Sequence, residues 1–342
     1  MIRMTLRQFR TEALISFSLL AVLAIVLAVT GPHLAHVYGA FESTCKAARD
    51  CAAAPNPVLN VDKTLQGFLP FIVTIAPALI GLFFGAPIIA RELESGTFRL
   101  AWTQSVTRRR WLAVKLGLVG IAAMALGGLL TWIVDWWLSP LDAVSQNRFD
   151  PANFGFHGVA AIGYAAFSFA LGATAGALLR RTVPAMAATL LGFVVARLAV
   201  EYRIRPYLAS PLHESLSLLR TGFGNVAASA STNSSSLIPP SMTIPNDWVV
   251  STAVVNGSGN ALTGKYFFHA CPGYSQPPNP ANIQSVHAAC INKLLSATFR
   301  TVVTYQPGSR FWPFQWAEMG IFLAAALALC GLTDWWLRRR YA

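Results

Sequence analysis

Six long runs of apolar residues, separated by polar and charged segments, set the pattern of this chain. Each run is close to or above the ~20 residues that an α-helix needs to cross the hydrocarbon core of a bilayer. The runs cover residues 13–34, 66–90, 112–138, 157–179, 183–203 and 313–337. The pattern therefore predicts an all-α polytopic membrane protein with six transmembrane helices.

A long polar segment interrupts this pattern between the fifth and sixth runs. Alternating apolar residues predict strands at 247–255 and 297–305, and residues 279–295 have the period of an amphipathic helix. We therefore expect a small α/β domain at this position. The predicted organisation is helices one to five in 1–204, an extracellular domain in 205–311, and helix six with a cytoplasmic tail in 312–342.

The distribution of charge gives the orientation. Charged residues make up 12% of the chain, whereas a soluble domain carries about 25%. The net charge of +12 would suit nucleic acid, but fourteen lysines and arginines flank the predicted inner helix ends and only four lie in the two short outer loops. Since basic residues mark cytoplasmic flanks, we expect both termini in the cytoplasm and the helices among the lipids of a cell membrane. The orientation of the helices in the membrane then explains the positive net charge without binding to nucleic acid.

Four of the five cysteines fall in predicted outer segments, where disulfides persist. Cys45 and Cys51 share one segment, and Cys271 and Cys290 share the other. We expect two disulfides with these pairings; the alternative is four free thiols outside the cell.

The chain offers no recognisable set of catalytic residues. It contains no G-x-x-x-x-G-K-[ST] phosphate loop and no H-E-x-x-H sequence. Its six histidines are scattered among outer segments and helix ends. We therefore expect neither an enzyme nor a metal site.

The most informative stretch is the predicted inner loop 91–110 with the helix start after it. Arg91 to Glu94 extend the second helix, Gly96 permits a turn and Thr97 can cap the segment that follows. FRLAW (98–102) would form a short amphipathic helix, a segment suited to docking on a soluble partner. The alternative is a charged loop that rests on lipid headgroups.

A family resemblance bears on this choice. Glu92, Glu94, Gly96 and Thr97, then Thr107, Arg108, Trp111 and Lys115, form the pattern E-x-E-x-G-T, Thr-Arg and Trp-x-x-x-Lys. This pattern resembles the inner loop of ABC-2 type transporter permeases, the membrane subunits of bacterial ABC exporters.

The resemblance implies a function for the loop and for the chain. The loop would be a coupling helix seated on a separate ABC ATPase subunit, present in two copies, which would bind ATP and Mg. This chain, as a homodimer with a second permease copy or as one copy with a related permease, would form the pathway for a hydrophobic or amphipathic substrate. The implied coupling residues are Arg91, Glu92, Glu94, Gly96, Thr97, Phe98, Leu100, Trp102 and Arg108.

Four ionisable residues lie one to three turns inside the predicted outer boundary: Asp135, Arg197, Glu201 and Glu318. Charged groups at such depth are costly and usually face a bundle interior or a water-filled cavity. Arg197 and Glu201 are spaced i,i+4 and could simply pair. The two interpretations are structural pairing and an outer gate on an exit pathway.

A second function fits the same pattern. The chain could be a non-transporting membrane sensor or scaffold whose extracellular domain binds a ligand. A neighbouring gene for a phosphate-loop ATPase would favour the exporter.

Overall fold

The computed structural model describes residues 2–48, 57–96, 108–145, 148–217, 244–274 and 283–340. The chain divides into two compact units. The membrane unit comprises Met1–Leu208 and Phe311–Ala342, and the insertion unit comprises Ala209–Arg310.

Five long helices form the first part of the membrane unit. They are α1 (Ile2–Ala48), α2 (Lys63–Ser95), α3 (Arg108–Ser145), α4 (Ala160–Leu179) and α5 (Thr182–Ala199). A π-helical turn, Gly81–Gly85, lies within α2, and another, Val200–Ile204, continues α5. A single helical turn, Pro151–Phe154, lies between α3 and α4.

In its described residues, the insertion unit contains a three-stranded antiparallel sheet and two α-helices. In chain order its elements are β1 (Leu212–Leu216), β2 (Trp248–Val255), α6 (Gly264–Ala270), α7 (Ile283–Ser296) and β3 (Arg300–Gln306). The strand order is β1-β3-β2. Sequence periodicity predicted β2, α7 and β3 but missed β1, which has mostly exposed residues and no apolar face.

The core of the insertion unit lies among β2, β3 and the two helices. Phe267 of α6 and Leu294 of α7 are completely buried there, next to Phe299. A disulfide joins Cys271, directly after α6, to Cys290 of α7. The side chain of Cys45 and the whole of Cys51 lie outside the described residues, so the second expected disulfide remains a prediction.

The chain returns to the membrane unit with α8 (Phe311–Arg340). Within the described residues, six helices are long and apolar enough to cross a bilayer: α1 to α5 and α8. The prediction of six membrane helices with a small α/β insertion is confirmed. The helices extend beyond the apolar runs at several ends because polar residues continue the same backbone hydrogen bonds past the apolar stretch.

Helix α4 occupies the centre of the membrane unit. Sixteen of its twenty residues are buried, and it packs against α2, α3, α5 and α8. Its sequence is rich in alanine and glycine, which allow helices in lipid to approach closely enough for dispersion and backbone contacts to hold them together. Thr174 Oγ1 of α4 also lies 2.9 Å from Thr333 Oγ1 of α8.

The closest approach is between α4 and the π-helical turn of α2. A Cβ placed on Gly172 would lie 2.5 Å from the backbone oxygen of Gly81 and 2.7 Å from the backbone nitrogen of Ala86. Both distances are shorter than any van der Waals contact, and backbone atoms cannot move aside as a flexible side chain can. This crossing therefore requires glycine at position 172.

We predict that Gly172→Ala destabilises the protein because α2 and α4 must separate to admit one methyl group. Overpacking of this kind costs about 1–3 kcal/mol. Thermal unfolding of the detergent-solubilised protein, followed by tryptophan fluorescence, would measure the loss. Gly320→Ala on α8 is the matched control, since nothing lies within 4 Å of its Cβ position. Equal melting temperatures for the two variants would contradict the prediction.

Candidate functional site

The loop predicted to bind a partner begins at the end of helix α2. After Ser95 the chain turns at Gly96, whose φ of 74° is the left-handed conformation that glycine adopts without strain. Thr97, Phe98, Leu100, Trp102 and the side chain of Arg108 lie outside the described residues. The end of the membrane unit that carries Ser95 and Arg108 is called the loop end below, and the other is called the far end.

Two charged residues in the last turns of α2 bind two neighbouring helices. Arg91 Nη1 donates to Glu12 Oε1 of α1 over 3.3 Å. Glu92 forms a hydrogen-bonded ion pair with Lys115 of α3, whose side chain is only 5% exposed. Removing one member of such a buried pair leaves an uncompensated charge, so the Glu92–Lys115 pair holds α2 against α3.

The third charged residue of this turn, Glu94, binds the start of helix α5. Its Oε2 accepts hydrogen bonds from the backbone N–H of Thr182 at 3.2 Å and from the Thr182 hydroxyl at 2.9 Å. The residue before Thr182, Arg181, makes no capping hydrogen bond of its own. Glu94 therefore satisfies an unpaired N–H at the helix start and places a negative charge at the positive end of the α5 dipole.

A buried network surrounds Glu318 at the far end. Glu318, completely buried on α8, accepts hydrogen bonds from Arg205 Nε at 2.8 Å and Nη2 at 2.9 Å. It also accepts one from Arg197 Nη1 at 3.2 Å and one from the Tyr164 hydroxyl at 2.6 Å. One carboxylate thus joins α8 to α4, to α5 and to the segment that follows α5.

The geometry of this network explains how it is tolerated inside the membrane unit. The two hydrogen bonds from Arg205 form the bidentate arrangement that suits guanidinium and carboxylate. The guanidinium carbon of Arg197 lies 3.9 Å from the centre of the Tyr164 ring, and that of Arg205 lies 4.4 Å from the centre of the Phe154 ring. These aromatic faces offset part of the cost of removing two positive charges from water.

Arg205 is completely buried, although the apolar run of the fifth helix ends two residues before it and the sequence places residue 205 in the extracellular domain. In a regular α-helix, residues eight apart point in directions that differ by roughly 80°. The wider π-helical turn Val200–Ile204 reduces this difference, so Arg197 and Arg205 reach the same carboxylate.

A second network at the far end contains Asp135 of α3. His157 Nδ1, almost completely buried, lies 2.6 Å from Asp135 Oδ1 and 3.5 Å from Asp142 Oδ2. The backbone N–H of Gly158 and Arg148 Nη2 lie 3.5 and 3.8 Å from Asp135 Oδ2. His157 and the two aspartates bring three metal-ligating atoms within 4.8 Å of one another. The 2.6 Å contact has the length of a charge-assisted hydrogen bond.

The four ionisable residues predicted to lie near the outer boundary belong to different surroundings. Arg197 and Glu318 bind each other, and Asp135 belongs to the second network. Glu201 interacts electrostatically with Arg205. Among the ion pairs of the described residues, Arg197 is paired with Glu318 rather than with Glu201, its i,i+4 neighbour. The intrahelical pair suggested by spacing is replaced because the carboxylate of α8 comes closer than a side chain one turn away.

The model of the family described as ABC-2 membrane transporter related matches residues 17–205, which include α2, α3, α4 and most of the residues at the loop end. The chain therefore belongs to this family. No curated protein and no solved structure matches the chain.

We predict that Glu318→Ala strongly destabilises the membrane unit because it removes the buried carboxylate that binds both Arg197 and Arg205. Breaking a buried pair from one side costs about 3–5 kcal/mol. Glu318→Gln keeps a hydrogen-bond acceptor and should lose less. Thermal unfolding in detergent would rank the variants, with Glu214→Ala on the exposed face of β1 as the control. A Glu318→Ala protein as stable as the control would contradict the network's structural role.

Proposed function

We propose that this chain, a member of the ABC-2 membrane transporter-related family, is the permease subunit of an ABC exporter for a hydrophobic or amphipathic substrate. Two copies would form the translocation pathway and bind two copies of a separate ATPase subunit. ATP and Mg would bind to the ATPase alone. The permease would lie in the cell membrane with both termini in the cytoplasm and with the insertion unit outside.

The observation that supports coupling to an ATPase is the set of contacts at the end of α2. Arg91, Glu92 and Glu94 lie within four residues of one another and bind α1, α3 and α5 respectively. A displacement of the loop that follows them would therefore reach three helices directly. A loop that only rested on headgroups would need no such connections.

The geometry suggests how such a displacement would cross the membrane. Closure of the ATPase dimer would push the loop 91–110 and tilt α2 and α3. The Glu94–Thr182 contact would carry the movement to the start of α5. Arg197, near the other end of α5, binds Glu318 of α8, so a shift of α5 would alter the buried network at the far end. In this proposal Asp135, Arg197, Glu201 and Glu318 form an outer gate that opens when α5 moves.

The partner surface would include residues beside the loop. A cavity of about 660 Å³ lies next to Glu94 and is lined by Leu93, Arg181, Val183 and Pro184 among others. Phe98, Leu100 and Trp102 would provide apolar contacts to the ATPase, and the arginines at the turn between α4 and α5 would suit acidic groups on it. Apolar anchors within a polar rim are the usual composition of a specific protein interface.

We predict that two variants separate binding of the ATPase from transmission of movement to α5. Trp102→Ala should weaken co-purification with the partner ATPase subunit, because it removes a large apolar anchor. Glu94→Ala should leave the complex intact but reduce the ATP-dependent movement of α5 relative to α1 by roughly fivefold or more in population. Spin labels on α1 and α5, with pulsed distance measurements in the presence and absence of ATP, would report that movement.

Glu214→Ala, in the insertion unit, serves as the control for both measurements. If both variants behave like this control in complex formation and in ATP-dependent movement, the coupling role of the loop is wrong. If no ATPase co-purifies with the wild-type chain, the sensor or scaffold function becomes the better explanation.

A further inference from the structure

A cavity of about 220 Å³ lies at the loop end of the membrane unit, between α1, α2 and α3. Its apolar walls include Phe9, Phe83, Phe84 and Val119, and Phe9 and Phe84 contact each other edge to face with ring centres 4.9 Å apart. One water molecule takes up about 30 Å³ in the liquid, so the cavity is several times larger than one water. It lies where three membrane helices reach their charged ends, which is the level of lipid headgroups.

The polar residues around the cavity differ in how well their charges are satisfied. Glu92 and Lys115 neutralise each other in a buried ion pair. Arg91 binds only one oxygen of Glu12, and its side chain is 65% exposed. The other oxygen, Glu12 Oε2, is buried and has no hydrogen-bond partner among the side chains that the structure describes. A buried carboxylate oxygen without a partner is costly, so this atom favours a donor that the described residues do not supply.

These features define the ligand chemistry. Glu12 Oε2 suits a compact positively charged donor, and the exposed guanidinium of Arg91, which binds the other oxygen of the same carboxylate, suits a phosphate group. The aromatic walls suit hydrocarbon. A molecule with an N–H₃⁺ group, a phosphate and acyl chains meets all three requirements.

We propose that this cavity binds the headgroup of phosphatidylethanolamine. The primary ammonium donates to Glu12 Oε2, the phosphate lies against Arg91, and an acyl chain follows Phe83 and Val119 towards the hydrocarbon core. The site discriminates against phosphatidylcholine, whose quaternary nitrogen has no N–H to donate, and against phosphatidylglycerol, which carries no cation. This binding does not rest on the proposed export function, and it is measured without the ATPase.

Native mass spectrometry of the detergent-purified full chain tests the proposal. Palmitoyl-oleoyl phosphatidylethanolamine, phosphatidylcholine and phosphatidylglycerol are added separately at equal concentrations, and the fraction of protein with one bound lipid is compared. The ethanolamine lipid should bind roughly tenfold more tightly than the other two, since hydrogen bonds to a buried charged group are the strong ones. Soluble phosphoethanolamine at the same concentration should not displace it, because it has no acyl chains.

Two variants assign the preference to this cavity. Glu12→Gln removes the negative charge with little change of shape and should lower ethanolamine-lipid binding to the level of the choline lipid. Ile88→Trp keeps every charge but fills the cavity and should lower binding of all three lipids. Glu42→Gln, elsewhere on α1, is the control for charge, and it should leave the preference unchanged.

Three results would overturn the proposal. The first is equal binding of the three lipids to the wild-type protein. The second is a preference for the ethanolamine lipid that survives both Glu12→Gln and Ile88→Trp. The third is displacement of the lipid by soluble phosphoethanolamine, which would assign the site to a small phosphorylated amine instead.

Discussion

Helix α4 meets α2 backbone to backbone, and the other membrane helices are arranged around this contact. In lipid there is no hydrophobic force between helices, so association depends on how closely their atoms approach. Gly172 on α4 and the π-helical turn Gly81–Gly85 on α2 remove the side chains that would separate the two helices. Helix α4 also packs on α3, α5 and α8. The contact between α2 and α4 therefore sets the position of the loop end of α2 relative to these three helices.

Charged groups then connect the helices at both ends of this packed centre. At the loop end, Arg91, Glu92 and Glu94 bind residues of α1, α3 and α5, respectively. At the far end, Glu318 gathers two arginines and a tyrosine from other elements. A charge in a membrane protein is stable only with a partner, so each pair fixes a distance between two helices. Helix α5 takes part in charged contacts at both ends. A displacement of α5 would therefore change the contacts at the loop end and at the far end together.

The candidate site was predictable in position but not in its contacts. Glu92 and Glu94 were recognisable because their E-x-E-x-G-T pattern resembles the inner loop of ABC-2 type permeases. Their partners, Lys115 and Thr182, are 23 and 88 residues away, and no periodicity relates them. In the same way, spacing suggested that Arg197 pairs with its neighbour Glu201, whereas the nearer carboxylate came from α8. The strand β1 was missed because its residues are mostly exposed and show no alternation.

The sequence by itself determined the number of membrane helices, the place of the insertion and most of its secondary structure. It could do so because the length and period of apolar runs are local properties, set by bilayer thickness and by backbone hydrogen bonding. Only the tertiary structure decided which charges meet, that α4 is central, and that Arg205 belongs to the buried network. Those outcomes depend on how helices distant in sequence cross, and on two π-helical turns that change the direction in which side chains point.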